Sequence, residues 1–347
     1  MYCICFVRAS PDCGNGVSQI NNMNNQNTNS LPQLEDIYAA AKRIQPCIHR
    51  TPLLRSSALA SIFGAAEFYA KCENLQKVGA FKVRGACNAV FSLNDEDARR
   101  GVLAHSSGNH AQGVAYAARL RQVSAHIVMP KTSSKIKIAA TRDYGATITF
   151  CEPTMESQTE VVSKIQENTG AILIHPFNNS HVIGGQGTIG LELLKEGISF
   201  DTVVTPIGGG GLISGISTAI KALSPSTQVV GVEPKGAADA YQSFRNEKIV
   251  PVDSPHSIAD GLLTTIGDKT HRIINRFVDD IVTVSDEQIV EAMKLVWQRM
   301  KIVIEPSAAV TIAAFLCNAI PAADKKIAVV FSGGNVDLDE LPWTTKA

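Results

Sequence analysis

One lysine lies between two glycines and beside an aromatic ring, in a segment whose residue types suit covalent chemistry. The segment is residues 79–86, G-A-F-K-V-R-G-A, and the lysine is Lys82. Glycines allow tight turns and let the backbone approach a ligand closely. Desolvation disfavours an ammonium group, so Lys82 could be neutral near neutral pH and form a Schiff base with an aldehyde. The alternative is an exposed lysine in a turn between a strand and a helix.

Four consecutive glycines separate a predicted strand at 202–207 from a predicted helix at 212–223. They are Gly208, Gly209, Gly210 and Gly211. Each glycine costs about 0.5–1 kcal/mol of chain entropy relative to alanine, so a plain turn would use only one or two. In return, the loop offers free N–H groups at a helix N-terminus, where a phosphate binds readily. We therefore predict a phosphate site here.

Two further polar loops follow predicted strands. Residues 106–110, S-S-G-N-H, come between a strand at 101–105 and a helix at 111–121, and Ser332 opens S-G-G-N after a strand at 327–331. Open α/β sheets bind ligands at the carboxyl ends of parallel strands, and a helix N-terminus adds positive potential. The first loop therefore predicts an anion site, with a helix cap as the alternative. Ser332 taken alone fits a turn residue.

Two acidic residues, Glu233 and Asp239, lie six positions apart. Their carboxylates and an intervening backbone carbonyl could bind Mg²⁺ or Ca²⁺. The alternative is a solvated loop.

A G-x-G-x-x-G pattern at 185–190 imitates a dinucleotide-binding loop. Such a loop needs a strand directly before it and an acidic residue at the end of the next strand. The sequence offers neither, so the pattern does not predict a dinucleotide site.

Strands and helices alternate along the chain, which predicts an α/β fold built from parallel three-layer units. Helices are predicted at 34–44, 56–63, 84–93, 111–121, 135–144, 154–169, 186–196, 212–223, 285–300 and 308–319. Strands are predicted at 67–72, 101–105, 125–129, 147–151, 172–175, 202–207, 229–232 and 327–331. Residues 14–30 are rich in polar types that cannot bury enough apolar area to order, so we predict a disordered tail at 1–30.

Composition excludes several classes of partner. Lysine plus arginine is 32 and aspartate plus glutamate is 32, so neither nucleic acid nor an anionic membrane is expected. No apolar run approaches the ~20 residues of a membrane span. The five cysteines from Cys47 onward lie singly in apolar segments, which suits a reducing compartment. We expect a cytoplasmic protein.

Taken together, G-A-F-K-x-R-G-A, S-S-G-N-H, G-G-G-G and S-G-G-N resemble the motifs of the fold-type II pyridoxal-phosphate enzymes, in this order and spacing. Within them, the chain is similar to the serine racemase and serine/threonine dehydratase group, from about residue 34 to about residue 340. The resemblance implies two interleaved three-layer αβα domains with mostly parallel sheets. The large cofactor-binding domain would take 31–97 and 179–342, and the small domain 98–178. The resemblance also implies a homodimer.

The resemblance implies a role for each loop. Lys82 would hold pyridoxal 5′-phosphate covalently, Phe81 would flank its ring and Asn109 would bond its 3′-oxygen. Ser332 would face the pyridine nitrogen. The phosphate would lie on Gly208, Gly209, Gly210 and Gly211. The substrate carboxylate would be received by Ser106, Asn109 and His110.

Two effector sites also follow from the resemblance. Racemase-like members bind a divalent cation through a glutamate, a backbone carbonyl and an aspartate, which Glu233, Ala237 and Asp239 match. The cation would be Mg²⁺, Ca²⁺ or Mn²⁺. ATP is a candidate activator, but Val78 and Ala80 replace the threonine and serine common in the lysine loop. That departure argues against nucleotide activation through this loop.

The implied reaction begins when Lys82 takes the α-proton of an amino acid from one face. Reprotonation from the opposite face inverts the centre and needs a second acid, and the resemblance gives this role to Ser107 of S-S-G-N-H. Loss of the β-hydroxyl leads instead to pyruvate and ammonia. The resemblance therefore implies a serine racemase, converting L-serine to D-serine, with serine β-elimination.

Two alternatives stay open. The chain could be an L-serine/threonine or threo-3-hydroxyaspartate dehydratase without racemisation. Gln158 stands where animal racemases carry an arginine able to meet a second carboxylate, and a neutral amide argues against dicarboxylic substrates. The second alternative is not an enzyme: a regulatory protein that binds the cofactor without converting a substrate would carry the same motifs.

Overall fold

The computed structural model describes residues 30–344, so the tail predicted at 1–30 lies outside the described residues except for Ser30. The strands are β1 (Leu53–Arg55), β2 (Glu67–Cys72), β3 (Val102–His105), β4 (Ala125–Pro130), β5 (Thr147–Cys151), β6 (Ile172–Leu173), β7 (Thr202–Pro206), β8 (Gln228–Pro234), β9 (Asp280–Val284) and β10 (Lys326–Phe331). The helices before β7 are α1 (Leu34–Ile44), α2 (Ser57–Phe63), α3 (Lys82–Ser92), α4 (Asp95–Arg99), α5 (Asn109–Arg121), α6 (Lys135–Asp143), α7 (Met155–Thr169) and α8 (Ser180–Leu194). Those after it are α9 (Gly211–Leu223), α10 (Asp239–Asn246), α11 (Asp268–Phe277), α12 (Asp286–Met300) and α13 (Pro306–Leu316).

The strands form two sheets, and every strand pair except β1 with β2 is parallel. The larger sheet has the order β1-β2-β10-β7-β8-β9, and the smaller one β5-β4-β3-β6. The predicted α/β fold with mostly parallel sheets is confirmed. The smaller sheet takes its strands from one stretch between β2 and β7, which lies inside the range 98–178 predicted for the small domain. The domain boundaries themselves stay a prediction.

The central strands of the larger sheet are buried on both faces. Ile327 to Phe331 of β10 have no exposed surface, as expected for a strand covered by helices on each side. Helix α13 supplies the apolar cluster on one face, through residues such as Ile312 and Phe315. Helix α9 supplies the other, through Ile213 and Ile216. The loops at the carboxyl ends of β7 and β10 thus sit on a rigid base.

Helix α8 begins at Ser180, six residues before the predicted start at 186. The Asn179 side chain accepts a hydrogen bond from Val182 N at 3.0 Å and caps it. The G-x-G-x-x-G pattern therefore lies inside a helix, where its glycines let neighbouring helices come close. A Cβ on Gly185 would lie 2.6 Å from Gly85 Cα. The pattern serves helix packing and forms no dinucleotide loop.

Two predicted site residues lie in the first turns of helices. Helix α3 begins at Lys82 and α5 begins at Asn109, each two residues earlier than predicted. The sequence interpretation missed α4, α10, α11 and β9. Across residues 30–344, no helix combines the length and the apolar character that a membrane span requires.

Candidate active site

The chain turns sharply just before Lys82. Val78 and Gly79 both adopt left-handed backbone conformations, with φ of 56° and 68°. The Asn335 side chain donates to the Val78 carbonyl at 2.8 Å, and a Cβ on Gly79 would lie 2.4 Å from Asn335 Oδ1. This turn costs conformational energy at the β-branched Val78, and Asn335 helps to hold it. It places Lys82 at the start of α3.

The Lys82 amine lies in a setting that favours its neutral form. Its Nζ donates to the Pro176 carbonyl at 3.0 Å and lies 5.2 Å from the centre of the Phe81 ring. Burial lowers the pKa of Lys82 to about 8, and the charge of Glu305 offsets part of that effect. A larger fraction of the amine is therefore neutral at neutral pH than in an exposed lysine.

Glu305 is a buried carboxylate to which the sequence analysis gave no role. It links the S-S-G-N-H loop, which carries Asn109, with the S-G-G-N loop, which carries Asn335. Asn109 Nδ2 donates to Glu305 Oε1 at 2.8 Å, and Asn335 Nδ2 donates to Asn109 Oδ1 at 2.9 Å. Burial raises the pKa of Glu305 to about 7, against the opposing charge of Lys137. A Cβ on Gly333 would lie 2.4 Å from Glu305 Oε1, so the glycine makes room for the carboxylate. In the sequence, Glu305 is marked only by its position directly before a proline at the start of a helix.

The S-S-G-N-H loop follows β3, as predicted. Ser106 Oγ accepts a hydrogen bond from Gly108 N at 3.1 Å, while Ser107 is exposed. His110 is buried, with Nε2 2.8 Å from the Ile174 carbonyl, and Nδ1 finds no hydrogen-bond partner among the described residues. Burial lowers the pKa of His110 well below its ordinary value. The neutral ring has one N–H group, which donates to the Ile174 carbonyl. A substrate carboxylate would therefore accept from the backbone N–H of His110 instead.

The four glycines form the predicted loop between β7 and α9. Gly210 has φ of 85°, and α9 begins at Gly211. A Cβ on Gly209 would lie 2.2 Å from the Phe177 ring, and one on Gly208 would lie 2.9 Å from the Gly261 carbonyl. Bare backbone is therefore required, and the N–H groups of the first helical turn have no partners within the helix. This cradle fits a phosphate group.

Ser332 lies at the carboxyl end of β10 and is 2% exposed. Its backbone carbonyl accepts a hydrogen bond from Phe81 N at 2.9 Å, and Gly333 pairs with Ala80 in an isolated bridge. These contacts bring Ser332 beside the lysine segment. The structure thus brings Lys82, Asn109 and Ser332 together from three separate parts of the chain.

The two predicted metal ligands with carboxylates are both buried, so the alternative of a solvated loop is wrong. Glu233 accepts backbone hydrogen bonds from Ala240 at 3.1 Å and Tyr241 at 2.7 Å. Asp239 Oδ2 accepts one from Ile266 N at 2.8 Å. Burial raises the pKa of Asp239 to about 6, and burial together with the Asp239 charge raises the pKa of Glu233 well above its ordinary value. Once ionised, two buried carboxylates fit a divalent cation, and the buried Ala237 lies between them in sequence.

Comparison with known proteins agrees with this geometry. The sequence model of the family described as pyridoxal-phosphate dependent enzyme matches residues 44–333. The β-hydroxyaspartate dehydratase of Paracoccus denitrificans is 48% identical over 313 residues, which span 90% of this chain and 99% of the relative. The serine racemase of Dictyostelium discoideum is 46% identical, over 89% of this chain and 96% of the relative.

Solved structures agree as well. The structure of maize serine racemase matches with a TM-score of 0.87 and 43% identity, covering 89% of this chain and 95% of that chain. A half-buried lysine of lowered pKa, a glycine cradle and a family match over most of the chain lead to one conclusion. The chain belongs to the fold-type II pyridoxal-phosphate dependent enzymes, in the group of the serine racemases and serine/threonine dehydratases.

Proposed function

We propose that the chain is a serine racemase that also converts serine to pyruvate and ammonia. Pyridoxal 5′-phosphate, when bound, would draw electrons from the substrate Cα and make its proton acidic. Lys82 would hold it covalently, with Phe81 beside the ring and the phosphate on Gly208–Gly211. Asn109 would hold the 3′-oxygen. Ser332, a neutral hydroxyl, would face the pyridine nitrogen without forcing it to carry a proton.

One observation carries the proposal: Ser107 is exposed on the loop that Asn109 and Asn335 link to the lysine segment. Lys82, neutral in part at neutral pH, would accept the α-proton on one face of the substrate. Ser107 would deliver a proton on the other face, which inverts the centre. The Ser106 hydroxyl and the backbone N–H groups of Asn109 and His110, in the first turn of α5, would bind the substrate carboxylate.

Loss of water from the same substrate carbon skeleton would compete with reprotonation. Serine would lose its β-hydroxyl with one proton as water, and hydrolysis would then give pyruvate and ammonia. A dehydratase without racemisation is the second candidate. It is supported by the β-hydroxyaspartate dehydratase relative.

Further properties belong to the same proposal. Glu233, the Ala237 carbonyl and Asp239 would hold Mg²⁺, Ca²⁺ or Mn²⁺, since both carboxylates are buried and carry raised pKa values. A cytoplasmic location is supported by free cysteines, four of which are buried. A homodimer rests on the family. ATP stays a candidate activator, opposed by the residues at positions 78 and 80.

The test is to incubate purified protein with L-serine, pyridoxal phosphate and Mg²⁺, following D-serine by chiral separation and pyruvate in parallel. We expect both products. Pyruvate alone would make the chain a dehydratase in which Ser107 only neighbours the carboxylate. Lys82→Ala should lose both reactions and the covalent cofactor, and activity retained by this variant would refute the assignment.

A further inference from the structure

A buried lysine outside the predicted site, Lys137, lies against the S-S-G-N-H loop. It is on α6 and is 8% exposed, whereas its neighbours Lys135 and Ile136 are exposed. A Cβ on Gly108 would lie 2.7 Å from Lys137 Cδ and 3.3 Å from its Nζ. Lysine is almost never buried without a partner. A charged partner for its ammonium group is therefore expected.

The partner of Lys137 is Asp260, whose Oδ2 accepts a hydrogen bond from Nζ. Burial disfavours the charge on Lys137, but Asp260 and Glu305 outweigh that effect and raise its pKa. The Glu305 charge raises the pKa of Lys82 as well, so both lysines lie within its influence. Asp260 directly precedes Gly261, whose carbonyl packs against the first glycine of the phosphate cradle. The ion pair therefore lies between the substrate loop and the cradle.

The two side chains of this ion pair differ in their exposure to solvent. The Lys137 side chain is 10% exposed, while that of Asp260 is 50% exposed. Water competes for the half-exposed Asp260 carboxylate, so this pair is weaker than a fully buried one. A carboxylate that reaches Lys137 would therefore compete with Asp260 for the ammonium group.

Gln158, where an arginine would meet a second substrate carboxylate, is engaged elsewhere. It hydrogen-bonds the His105 side chain, whose pKa is lowered by burial and raised in part by this bond. A neutral amide provides no charge for a dicarboxylate. Among the described residues beside the loop, Lys137 is a cation in a position to do so.

We propose that Lys137 determines specificity for dicarboxylic amino acids, by taking the β-carboxylate of a 3-hydroxyaspartate in place of Asp260. The inference rests on the proposed function and narrows its substrate class. The neutral amide of Gln158 argued against dicarboxylic substrates. This inference reverses that expectation, because Lys137 on α6 supplies the positive charge that a second carboxylate requires. Binding exchanges one carboxylate for another on the same ammonium and involves no change of covalent bonds.

The experiment compares Lys137→Met, Lys137→Arg and the exposed control Lys135→Met in the holoenzyme. Elimination from L-threo-3-hydroxyaspartate and from L-serine is measured for each. For Lys137→Met we expect kcat/KM for hydroxyaspartate to fall by about 30-fold or more, mainly through KM, and that for serine by less than about threefold. Lys137→Arg should recover most of the loss, and Lys135→Met should resemble the parent protein.

A binding measurement separates this inference from the proposed function. Succinate, a dicarboxylate without an amino group, is titrated into the holoenzyme by calorimetry. Its affinity should fall in Lys137→Met and rise in Asp260→Asn, which removes the competing carboxylate. Serine turnover without succinate binding or hydroxyaspartate turnover would overturn the inference and leave the proposed function intact. Equal losses for both substrates, or weaker succinate binding in Asp260→Asn, would make the pair a structural bridge and overturn it as well.

Discussion

The hydroxyl oxygen of Thr270 lies 2.9 Å from the backbone carbonyl of Gly209, in the glycine cradle. The same hydroxyl accepts a hydrogen bond from Gly267 N at 2.9 Å. The preceding residue, Ile266, donates its N–H to Asp239. A short run of backbone therefore connects the buried acidic pair with the cradle.

Thr270→Val should weaken cofactor binding. The substitution keeps the shape but leaves a buried carbonyl and a buried N–H without the hydroxyl, at a cost of about 1–3 kcal/mol. Part of that cost falls on the cradle, so we expect the Kd for pyridoxal phosphate to rise by about tenfold. Thr270→Ser keeps the hydroxyl and is the matched control. Equal Kd values for the two variants would show that the contact does not support the cradle.

The acidic pair should make stability depend on pH in a direction opposite to ordinary ion-paired carboxylates. The pKa of Asp239 is raised to about 6 and that of Glu233 is raised further from its ordinary value. From about pH 4 upward through these values, the folded chain binds more protons than the unfolded chain, so the free energy of unfolding falls as pH rises. Thermal unfolding in a chelator should show this fall.

Added Mg²⁺ or Mn²⁺ should reverse that loss near neutral pH, because a cation stabilises both charged carboxylates. Asp239→Asn should remove the response to the cation, whereas Asp253→Asn, at an exposed position, should keep it. If the unfolding temperature of the parent protein does not change when the cation is added, the metal site is refuted.

Glu305→Gln should lower the pKa of Lys82. The Glu305 charge opposes the effect of burial on the lysine, so its removal leaves desolvation less compensated. In the apoenzyme, the rate of covalent capture of pyridoxal phosphate should rise with pH around the Lys82 pKa of about 8. The midpoint of that rise should move to lower pH in the variant. A midpoint that stays or moves upward would contradict the electrostatic role of Glu305.

Ser107→Ala should abolish D-serine formation and keep pyruvate formation, since only inversion needs an acid on the second face. Ser106→Ala is the comparison, because its hydroxyl would bind the carboxylate used by both reactions. That variant should lose both products together. D-serine formation that survives Ser107→Ala would refute the two-face scheme.

Arg84→Met should destabilise the fold strongly. Arg84 is fully buried and pairs with Glu73 at 2.7 Å and with Glu192 at 2.7 Å. Removing it leaves the buried Glu73 carboxylate without its cationic partner, with the Thr51 hydroxyl still donating to it, which costs about 3–5 kcal/mol in the free energy of unfolding. Arg50→Met breaks an exposed pair and should cost less than about 1 kcal/mol. Urea unfolding measures both, and similar costs would contradict the argument.

The sequence predicted the loops well because their signals are local. Four glycines in a row after a Val- and Ile-rich strand indicate a cradle without any knowledge of the rest of the chain. Glu305 carries no such signal. Its partner Asn109 is 196 positions away, and only folding brings the two together.

Helix α8 shows why boundaries were harder to predict. Its glycines lower intrinsic helix propensity, and the predicted start was therefore late. Tertiary packing nevertheless favours the helix, because the glycines let α8 pack closely against α9. A Cβ on Gly187 would lie 2.9 Å from the Gly215 carbonyl of α9. Lys137 was missed for a related reason. Its burial depends on Gly108, which a helical pattern on α6 does not reveal.

The smaller sheet begins and ends at neighbouring strands, since β3 pairs with β6. The segment that forms it therefore leaves and rejoins the rest of the chain at one place. It carries Ser107 and Lys137, while Lys82 and the glycine cradle stay behind. A chimaera that receives this segment from a related dehydratase would exchange Ser107 and Lys137 in a single graft and would keep Lys82, the glycine cradle and Ser332, while Asn109 is the proposed cofactor contact that moves with the segment.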